Sequence, residues 1–185
     1  MSNSLEFEYV WPLPALDNRL PKVSDGYHMR QSGIFHAGAD IMYAAITNDP
    51  VYIPGPIGLN YSGYYKKGIR YRTKGHYLPP NTPAIACVGG KIFKANLSSK
   101  GYQLVLGKIG GSLAFYYQHL QKLNVETGET VELGQSLGIV GGNPNEVGAI
   151  AHLHFEIWRG GPSNHVNPSL FLNKWKVMDL DGRFL

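Results

Sequence analysis

The chain has 185 residues, of which 43% are hydrophobic and 16% are charged. This balance is typical of one folded domain with a sizeable core, and it excludes an intrinsically disordered chain. The single cysteine excludes an internal disulfide. No apolar stretch approaches the roughly 20 residues of a membrane-spanning helix, so we expect no membrane insertion. The abundant glycine, proline and tyrosine favour many short strands joined by turns.

The formal net charge of +4 is unevenly distributed along the chain. No Asp or Glu lies between Asp49 and Glu126, whereas that interval contains ten Lys and Arg residues. A stretch of one sign favours an anionic partner, such as nucleic acid, an anionic membrane or the acidic polymers of a cell wall. A basic surface that is merely solvated is the alternative, and composition leaves both open.

The first element that carries chemistry is the sequence GIFHAGADI, which supplies His36 and Asp40. Their spacing would suit one face of a helix, but Gly33 and Gly38 make a helix unfavourable. We therefore predict a glycine-bent turn that enters a strand and brings both side chains to one point. The following segment, residues 51–82, is rich in Tyr, Lys, Arg and Pro, and we predict a long excursion from the core.

The rest of the chain has strand signals nearly throughout. Two stretches, 82–92 and 129–142, each predict a strand, a glycine turn and a strand, which is typical of a compact antiparallel sandwich. A helical pattern is plausible only at 167–175, where proline can occupy the first turn. Three further β-rich runs are closed by glycine or polar turns, at 101–109, 112–120 and 151–158.

The last of these runs contains His152 and His154 in the alternating pattern His-Leu-His-Phe-Glu-Ile. Side chains at i and i+2 of a strand point to the same face, so the two histidines are predicted to share a surface. A buried imidazole needs a hydrogen-bond partner for each ring nitrogen, which makes a pair of core histidines unfavourable. We expect them in a functional site, with a satisfied structural pair as the alternative.

A further histidine, His119, ends the β-rich run at 112–120. Histidine nitrogen and carboxylate oxygen are ordinary zinc ligands, and a catalytic zinc usually takes three protein ligands and a water. The sequence supplies four such histidines and the carboxylate of Asp40, which is more than one zinc ion needs. Some of them are therefore available for acid–base chemistry.

These groups and their order resemble the M23 family of zinc metallopeptidases, the lysostaphin and LytM type. The resemblance rests on HAGAD at 36–40, YYQHL at 116–120 and HLH at 152–154, and it extends from about residue 24 to 172. Flanking stretches match as well: GYHMR before the first motif, VETGETVELGQSLGIVGG before the last and HVNPSLFL after it. Each motif is weak alone, but five groups in this order are a specific signal.

The resemblance implies an all-β fold, an antiparallel β-sandwich of the duplicated hybrid motif type with an open groove, a long inserted loop and little helix. It implies one Zn²⁺ per chain, held by His36, Asp40 and His154. His119 and His152 would lie beside the metal without binding it, and would assist a zinc-activated water as catalytic residues. The implied activity is hydrolysis of peptide cross-links of bacterial peptidoglycan.

The same resemblance predicts three parts of the chain: an N-terminal extension at 1–23, a peptidase domain at 24–172 with an insertion at 51–82, and a C-terminal tail at 173–185. In the family a short Gly-Thr-Pro-Val type link commonly follows the first motif, so the insertion puts substrate preference in doubt. We expect it to form a wall of the groove, with an idle surface insertion as the alternative. Arg30 is expected to brace the first motif, whereas His28, His76 and His165 match no ligand position.

We expect a monomer that acts on peptidoglycan peptide stems in the periplasm or cell wall and binds no nucleic acid. The N-terminus has no basic segment, so we expect no signal peptide and delivery by a phage particle, a holin or a secretion system, with an immunity or delivery partner. Three alternatives remain open. They are a non-catalytic scaffold of the same fold that binds peptidoglycan or activates a partner, a phosphotransfer protein with paired histidines, and nucleic-acid binding through 51–82.

Overall fold

The computed structural model describes residues 8–49, 68–73, 75–141 and 147–185, with the backbone alone at 68–70 and 147–149. Short strands dominate, as the alternating runs of the sequence predict. The described strands are β1 (Pro21–Asp25), β2 (His28–Met29), β3 (Phe35–His36), β4 (Ala39–Ala44), β5 (Gly68–Arg70), β6 (Arg72–Thr73), β7 (His76–Tyr77), β8 (Pro83–Ile85), β9 (Gly90–Ser98), β10 (Gly101–Lys108), β11 (Leu113–Leu123), β12 (Thr130–Val131), β13 (Ser136–Val140), β14 (Val147–Ile150), β15 (Leu153–Arg159) and β16 (His165–Val166). One helix, α1 (Ser169–Leu172), follows them.

Twelve of the described strands form one sheet, whose main path runs β12-β9-β10-β11-β15-β4-β7-β6. Its pairings are antiparallel, while a separate two-stranded sheet pairs β14 with β5 in parallel. The predicted all-β fold with little helix is confirmed. The described part of the chain contains no helix with the length and hydrophobicity that a bilayer crossing requires.

Strands β11 and β15 lie at the centre of the sheet. Their successive side chains point to its two opposite faces. Phe115, Tyr117, Phe155 and Ile157 are fully buried on the core face, where the aromatic rings of Phe115 and Phe155 stack. The alternate residues of β15, namely His154, Glu156 and Trp158, lie half-buried on the opposite face. The alternation of β15 thus places its histidine away from the core, on a face that we call the groove face.

Alternation alone would place His119 on the same face as the core residue Tyr117. Instead His119 has a φ of 66°, an uncommon left-handed conformation for a non-glycine residue. The register with β10 shows an extra residue in β11 at this point, because Leu104 pairs with Tyr117 and Tyr102 pairs with Leu120. This β-bulge lets Gln118 and His119 both face the groove while Leu120 returns to the core.

Much of the predicted excursion, residues 51–67 and 74, lies outside the described residues. The remainder belongs to the sheets: β6 and β7 form a hairpin whose strand β7 pairs with β4. Leu78 is fully buried and its neighbours Tyr77 and Pro79 are buried as well, so this part of 51–82 packs into the core, whereas Pro80 and Asn81 are exposed. The basic side chain of Arg72 donates a hydrogen bond to the carbonyl of Asp49 (2.7 Å).

Residues 8–23, the described part of the expected extension, pack against the expected tail and against the core. Val10 and Leu13 are fully buried, and the ring of Tyr9 stacks on Trp175 with centroids 5.2 Å apart. The Trp11 indole N–H donates a hydrogen bond to the carbonyl of Leu172 (3.0 Å). The domain boundaries at residues 24 and 172 stay a prediction.

Candidate metal centre

Three side chains from three strands meet at the groove face. Asp40 on β4 pairs directly with His154 on β15, so their side chains are neighbours on one face, and the turn after β3 brings His36 beside them. His36 Nε2 lies 3.1 Å from both Asp40 Oδ1 and His154 Nδ1, and the last two atoms are 2.9 Å apart. Ligand atoms about 2 Å from a tetrahedral zinc ion lie about 3.3 Å apart, so the triangle has suitable dimensions.

The far nitrogen of each imidazole is bound by an acceptor. His36 Nδ1 lies 2.5 Å from the carbonyl oxygen of Gly26, and His154 Nε2 lies 2.8 Å from Glu156 Oε1. A carbonyl and a carboxylate accept hydrogen bonds, so these nitrogens carry the protons of the neutral rings. His36 Nε2 and His154 Nδ1 are therefore the atoms free to bind a cation, and such partners are typical of metal-binding histidines.

Asp40 is oriented by a guanidinium group. Arg30 donates hydrogen bonds to Asp40 Oδ2 (3.2 Å) and to Asp25 Oδ2 (2.8 Å). The other carboxylate oxygen of Asp40, Oδ1, then faces the two histidines. This arrangement favours binding of a cation through one oxygen.

Burial and hydrogen bonding act in opposite directions on the pKa values of this cluster. Burial lowers the pKa of His154, but hydrogen bonds to Asp40 and Glu156 outweigh it and raise that pKa to about 9. The pKa of His36 is likewise raised, because hydrogen bonds to Asp40 and Gly26 outweigh its burial. Burial alone would raise the pKa of Asp40, but hydrogen bonds from the two histidines hold it far below its usual value. Without a metal ion, His154 therefore carries a second proton at neutral pH, which a metal ion would displace.

His119 and His152 lie beside this triangle. Their rings are 4.6 Å apart between centroids, and His152 Nε2 lies 3.5 Å from Asp40 Oδ1. The Nδ1 atoms face backbone carbonyl oxygens, of Lys100 for His119 (3.1 Å) and of Ile150 for His152 (2.6 Å). Because a carbonyl can only accept, Nε2 is the acceptor atom of each neutral ring. Burial and the neighbouring His152 lower the pKa of His119 to about 4.

A cavity of about 330 Å³ opens over these groups, and its lining includes all five predicted site residues. Gly38 has no space for a side chain, since an added Cβ would lie 2.6 Å from the carbonyl oxygen of Phe155 and 2.8 Å from the His154 ring. The glycine between His36 and Asp40 is therefore required by close packing against His154. The structure brings together the five residues predicted from sequence, and their individual roles stay predictions.

The remaining histidines lie outside the triangle. His28 Nδ1 contacts the carbonyl oxygen of Gly26 (2.8 Å), and His165 Nδ1 contacts the hydroxyl of Tyr27 (2.9 Å). A second group of possible ligands comprises Asp25, His28 and His36. Its carboxylate already pairs with Arg30, and both histidines direct Nδ1 to Gly26, which makes a second metal site unfavourable.

Sequence reasoning missed four groups that hold the site. Glu156 binds His154, and it follows that histidine by two residues, so strand alternation could have placed it on the groove face. The carbonyl groups of Gly26, Lys100 and Ile150 orient His36, His119 and His152, respectively. The residue types at these positions could not have indicated such contacts, because the backbone carbonyl groups make them.

Comparison with known proteins agrees with this geometry. The family model described as Peptidase family M23 matches residues 64–168, more than half of the chain. The matched range contains His119 and both histidines of the HLH motif, while His36 and Asp40 precede it. Peptidoglycan DD-endopeptidase ShyC of Vibrio cholerae serotype O1 is 32% identical over 98 residues, which are 53% of this chain and 22% of ShyC. The chain thus spans about a fifth of the length of this curated relative.

Two solved structures share the fold. Lysostaphin from Staphylococcus simulans has a TM-score of 0.59 at 22% identity, over 91% of this chain and 54% of its own. A zinc-containing peptidase from Vibrio cholerae has a TM-score of 0.56 at 20% identity, over 89% of this chain and 40% of its own. At these identities the structures show the fold alone, whereas the family model matches the sequence itself. The chain therefore belongs to Peptidase family M23.

Proposed function

We propose that this chain is a zinc-dependent endopeptidase that hydrolyses peptide cross-links of bacterial peptidoglycan. The observation that carries the proposal is the convergence of His36 Nε2, Asp40 Oδ1 and His154 Nδ1 within 3.1 Å of one another. Two nitrogens and one carboxylate oxygen, each oriented by a further partner, are a donor set that suits zinc and leaves a coordination position open.

These three atoms would hold the metal ion. When bound there, zinc would polarise a scissile carbonyl as a Lewis acid and lower the pKa of a water molecule towards about 7. Arg30 would keep Asp40 Oδ2 engaged, so that Oδ1 stays directed at the metal. Glu156 would keep the His154 ring in the tautomer that presents Nδ1.

The proton-transfer steps fall to His119 and His152. Each ring donates from Nδ1 to a backbone carbonyl, which leaves Nε2 as the atom that accepts a proton from the attacking water. The protonated nitrogen can then donate to the leaving amine of the peptide. The carbonyl partners fix the ring orientation, so that no rotation is needed between accepting and donating the proton.

Two observations support peptidoglycan as the substrate. ShyC, which matches 98 residues of this chain, is described as a peptidoglycan DD-endopeptidase. The chain also has no Asp or Glu from 50 to 125, which favours an anionic polymer. Action in the periplasm or cell wall follows from this substrate. The segment 51–82 would form one wall of the groove, since its strand β5 pairs with β14, which ends just before His152.

The test is incubation of the zinc-loaded protein with soluble cross-linked muropeptide dimers, with products identified by mass. Cleavage of the cross-link that stops on chelation and returns with zinc is the expected result. A protein that binds the dimers but never cleaves them would instead be a non-catalytic scaffold. Absence of both binding and cleavage would contradict peptidoglycan as the substrate.

A further inference from the structure

A second cavity lies on the groove face beside the metal centre. It has a volume of about 520 Å³ and shares Glu156 with the cavity over the metal centre. We call it the platform groove, defined by Tyr116, Trp158, Gln103, Lys94 and Glu156. Because the two cavities meet at Glu156, a substrate bound at the metal centre can extend into the platform groove.

The floor of the platform groove is a pair of stacked aromatic rings. The rings of Tyr116 and Trp158 lie 5.1 Å apart between centroids, with an angle of 18° between their planes. The Tyr116 hydroxyl donates to Gln103 (2.6 Å) and accepts from Gln118 (2.7 Å). The Trp158 indole N–H donates to Glu156 Oε2 (2.6 Å). Since the polar edges of both rings are engaged, the surface left for an occupant is apolar.

The two charged side chains of the platform groove, Glu156 and Lys94, differ in the contacts that they already make. Glu156 accepts hydrogen bonds from His154 and Trp158, one with each carboxylate oxygen, so its charge is already engaged. Lys94 is exposed and forms no ion pair within the described part of the chain. The free charge of the platform groove is therefore positive.

The register of the sheet gives the direction and length of the groove. One residue from each of four neighbouring strands lies in a row across the sheet, each paired with the next. The row is Lys94, Val105, Tyr116 and Glu156. The ends of the row are three interstrand spacings apart, a distance of about 14 Å. This distance matches the length of about four residues of extended peptide. The positive charge thus lies several residues away from a peptide bond held at the metal centre.

From these observations we infer that the platform groove is a substrate subsite for a peptide segment with an apolar face over Tyr116 and Trp158 and a free carboxylate at Lys94. The inference rests on the proposed function, because it assigns the occupant as part of the hydrolysed peptide. Charge complementarity selects the carboxylate, and continuity with the metal centre selects substrate over a separate ligand.

The test compares two soluble muropeptide dimers that differ in one group, a free C-terminal carboxylate or its carboxamide on the peptide beside the cross-link. The zinc-loaded protein should cleave the carboxylate form with kcat/KM about fivefold higher, the size of effect expected for a partly exposed ion pair. Lys94→Gln should remove this preference through KM, with kcat unchanged. Lys91→Gln, on the same strand but outside the groove, is the matched control and should keep the preference.

A second pair of variants tests the aromatic floor. Trp158→Ala should raise KM for the carboxylate dimer about tenfold, whereas Trp158→Phe keeps a ring and should raise it less. Zinc content is measured in both variants, because Trp158 contacts Glu156. The subsite would be overturned if the wild type cleaved the carboxylate and carboxamide dimers equally well, or if Lys94→Gln kept the preference for the carboxylate dimer.

Failure of the proposed function would look different. If neither dimer is cleaved but calorimetry shows tighter binding of the carboxylate form that Lys94→Gln abolishes, the subsite stands and the hydrolytic activity falls. If the two dimers bind equally well or not at all, the subsite is overturned as well.

Discussion

The four histidines of the cavity form two pairs that differ in how closely they approach the carboxylate of Asp40. His36 and His154 contact the carboxylate of Asp40, and His154 also contacts Glu156. His119 and His152 direct Nδ1 at neutral backbone carbonyl groups. The pKa of His154 is raised to about 9 although burial opposes the rise, whereas burial and a neighbouring imidazole lower that of His119 to about 4. The surroundings of each ring therefore decide its charge at neutral pH: they favour the protonated form of His154 and the neutral form of His119.

The strongest test of this difference is removal of the shared carboxylate. Asp40→Ala should lose most bound zinc and all activity, because two protein ligands rarely hold the ion. Zinc per chain, measured by elemental analysis, checks the prediction. Asp25→Ala is the matched control, since Asp25 also pairs with Arg30 but lies outside the triangle. Stoichiometric zinc in Asp40→Ala would contradict the assignment of the ligands.

The second pair should behave differently from the first. His119→Ala and His152→Ala should keep zinc but lose on the order of 10² to 10⁴ in rate, the usual contribution of a positioned proton-transfer group. Zinc content and kcat are measured on the same samples. His165→Ala, whose partner is Tyr27, is the control and should leave the rate unchanged. If His152→Ala lost zinc while His154→Ala kept it, the roles of these two residues would be reversed.

A smaller effect is expected at the carboxylate behind His154. Glu156→Gln keeps the size of the side chain but removes its charge, and it should weaken zinc binding about tenfold, the lower end for partners of metal-binding histidines. Competition with a chelator measures the affinity. Glu132→Gln, an exposed glutamate outside this cavity, should leave it unchanged. An unaltered affinity in Glu156→Gln would mean that Glu156 does not orient the ligand.

The remaining effect concerns pH. The pKa of His154 rises from 6.5 to about 9 on folding, so its proton stabilises the metal-free protein below pH 6.5 and this contribution is lost as pH rises through 9. Zinc must displace that proton, so zinc affinity should increase by about tenfold per pH unit up to about pH 9. Chelator competition between about pH 6.5 and 8.5 measures the slope. A flat profile would show that His154 is already neutral without metal.

Part of this site can be predicted from the sequence, because the alternation of side chains along a strand determines which residues share a face. The alternation at 152–154 predicts that both histidines share a face, and both approach Asp40 Oδ1. The direct pairing of Asp40 with His154 is different, because it joins residues 114 positions apart. Residue patterns within one segment do not specify such a pairing, and the resemblance to a family supplied it.

The β-bulge at His119 is the feature that local rules would place on the wrong face. Regular alternation puts His119 beside Tyr117 in the core, whereas the left-handed backbone at residue 119 turns the ring to the groove. No glycine marks the position, so its sequence carries no turn signal. The backbone is held in place by contacts distant in sequence, including the hydrogen bond from the Gly141 N–H to the His119 carbonyl oxygen (2.9 Å).

The same bulge has a consequence for the design of this fold. Between Tyr117 and Leu120 the strand β11 has one residue more than its partner β10 has between Leu104 and Tyr102. Deletion of His119 alone would restore an uninterrupted ladder, with Tyr117 and Leu120 still in the core. The histidine that we propose to accept the proton is thus the one extra residue in an otherwise regular hairpin of β10 and β11. A sheet of this kind can gain or lose a reactive group by changing its length by one codon, without rebuilding the core on its other face.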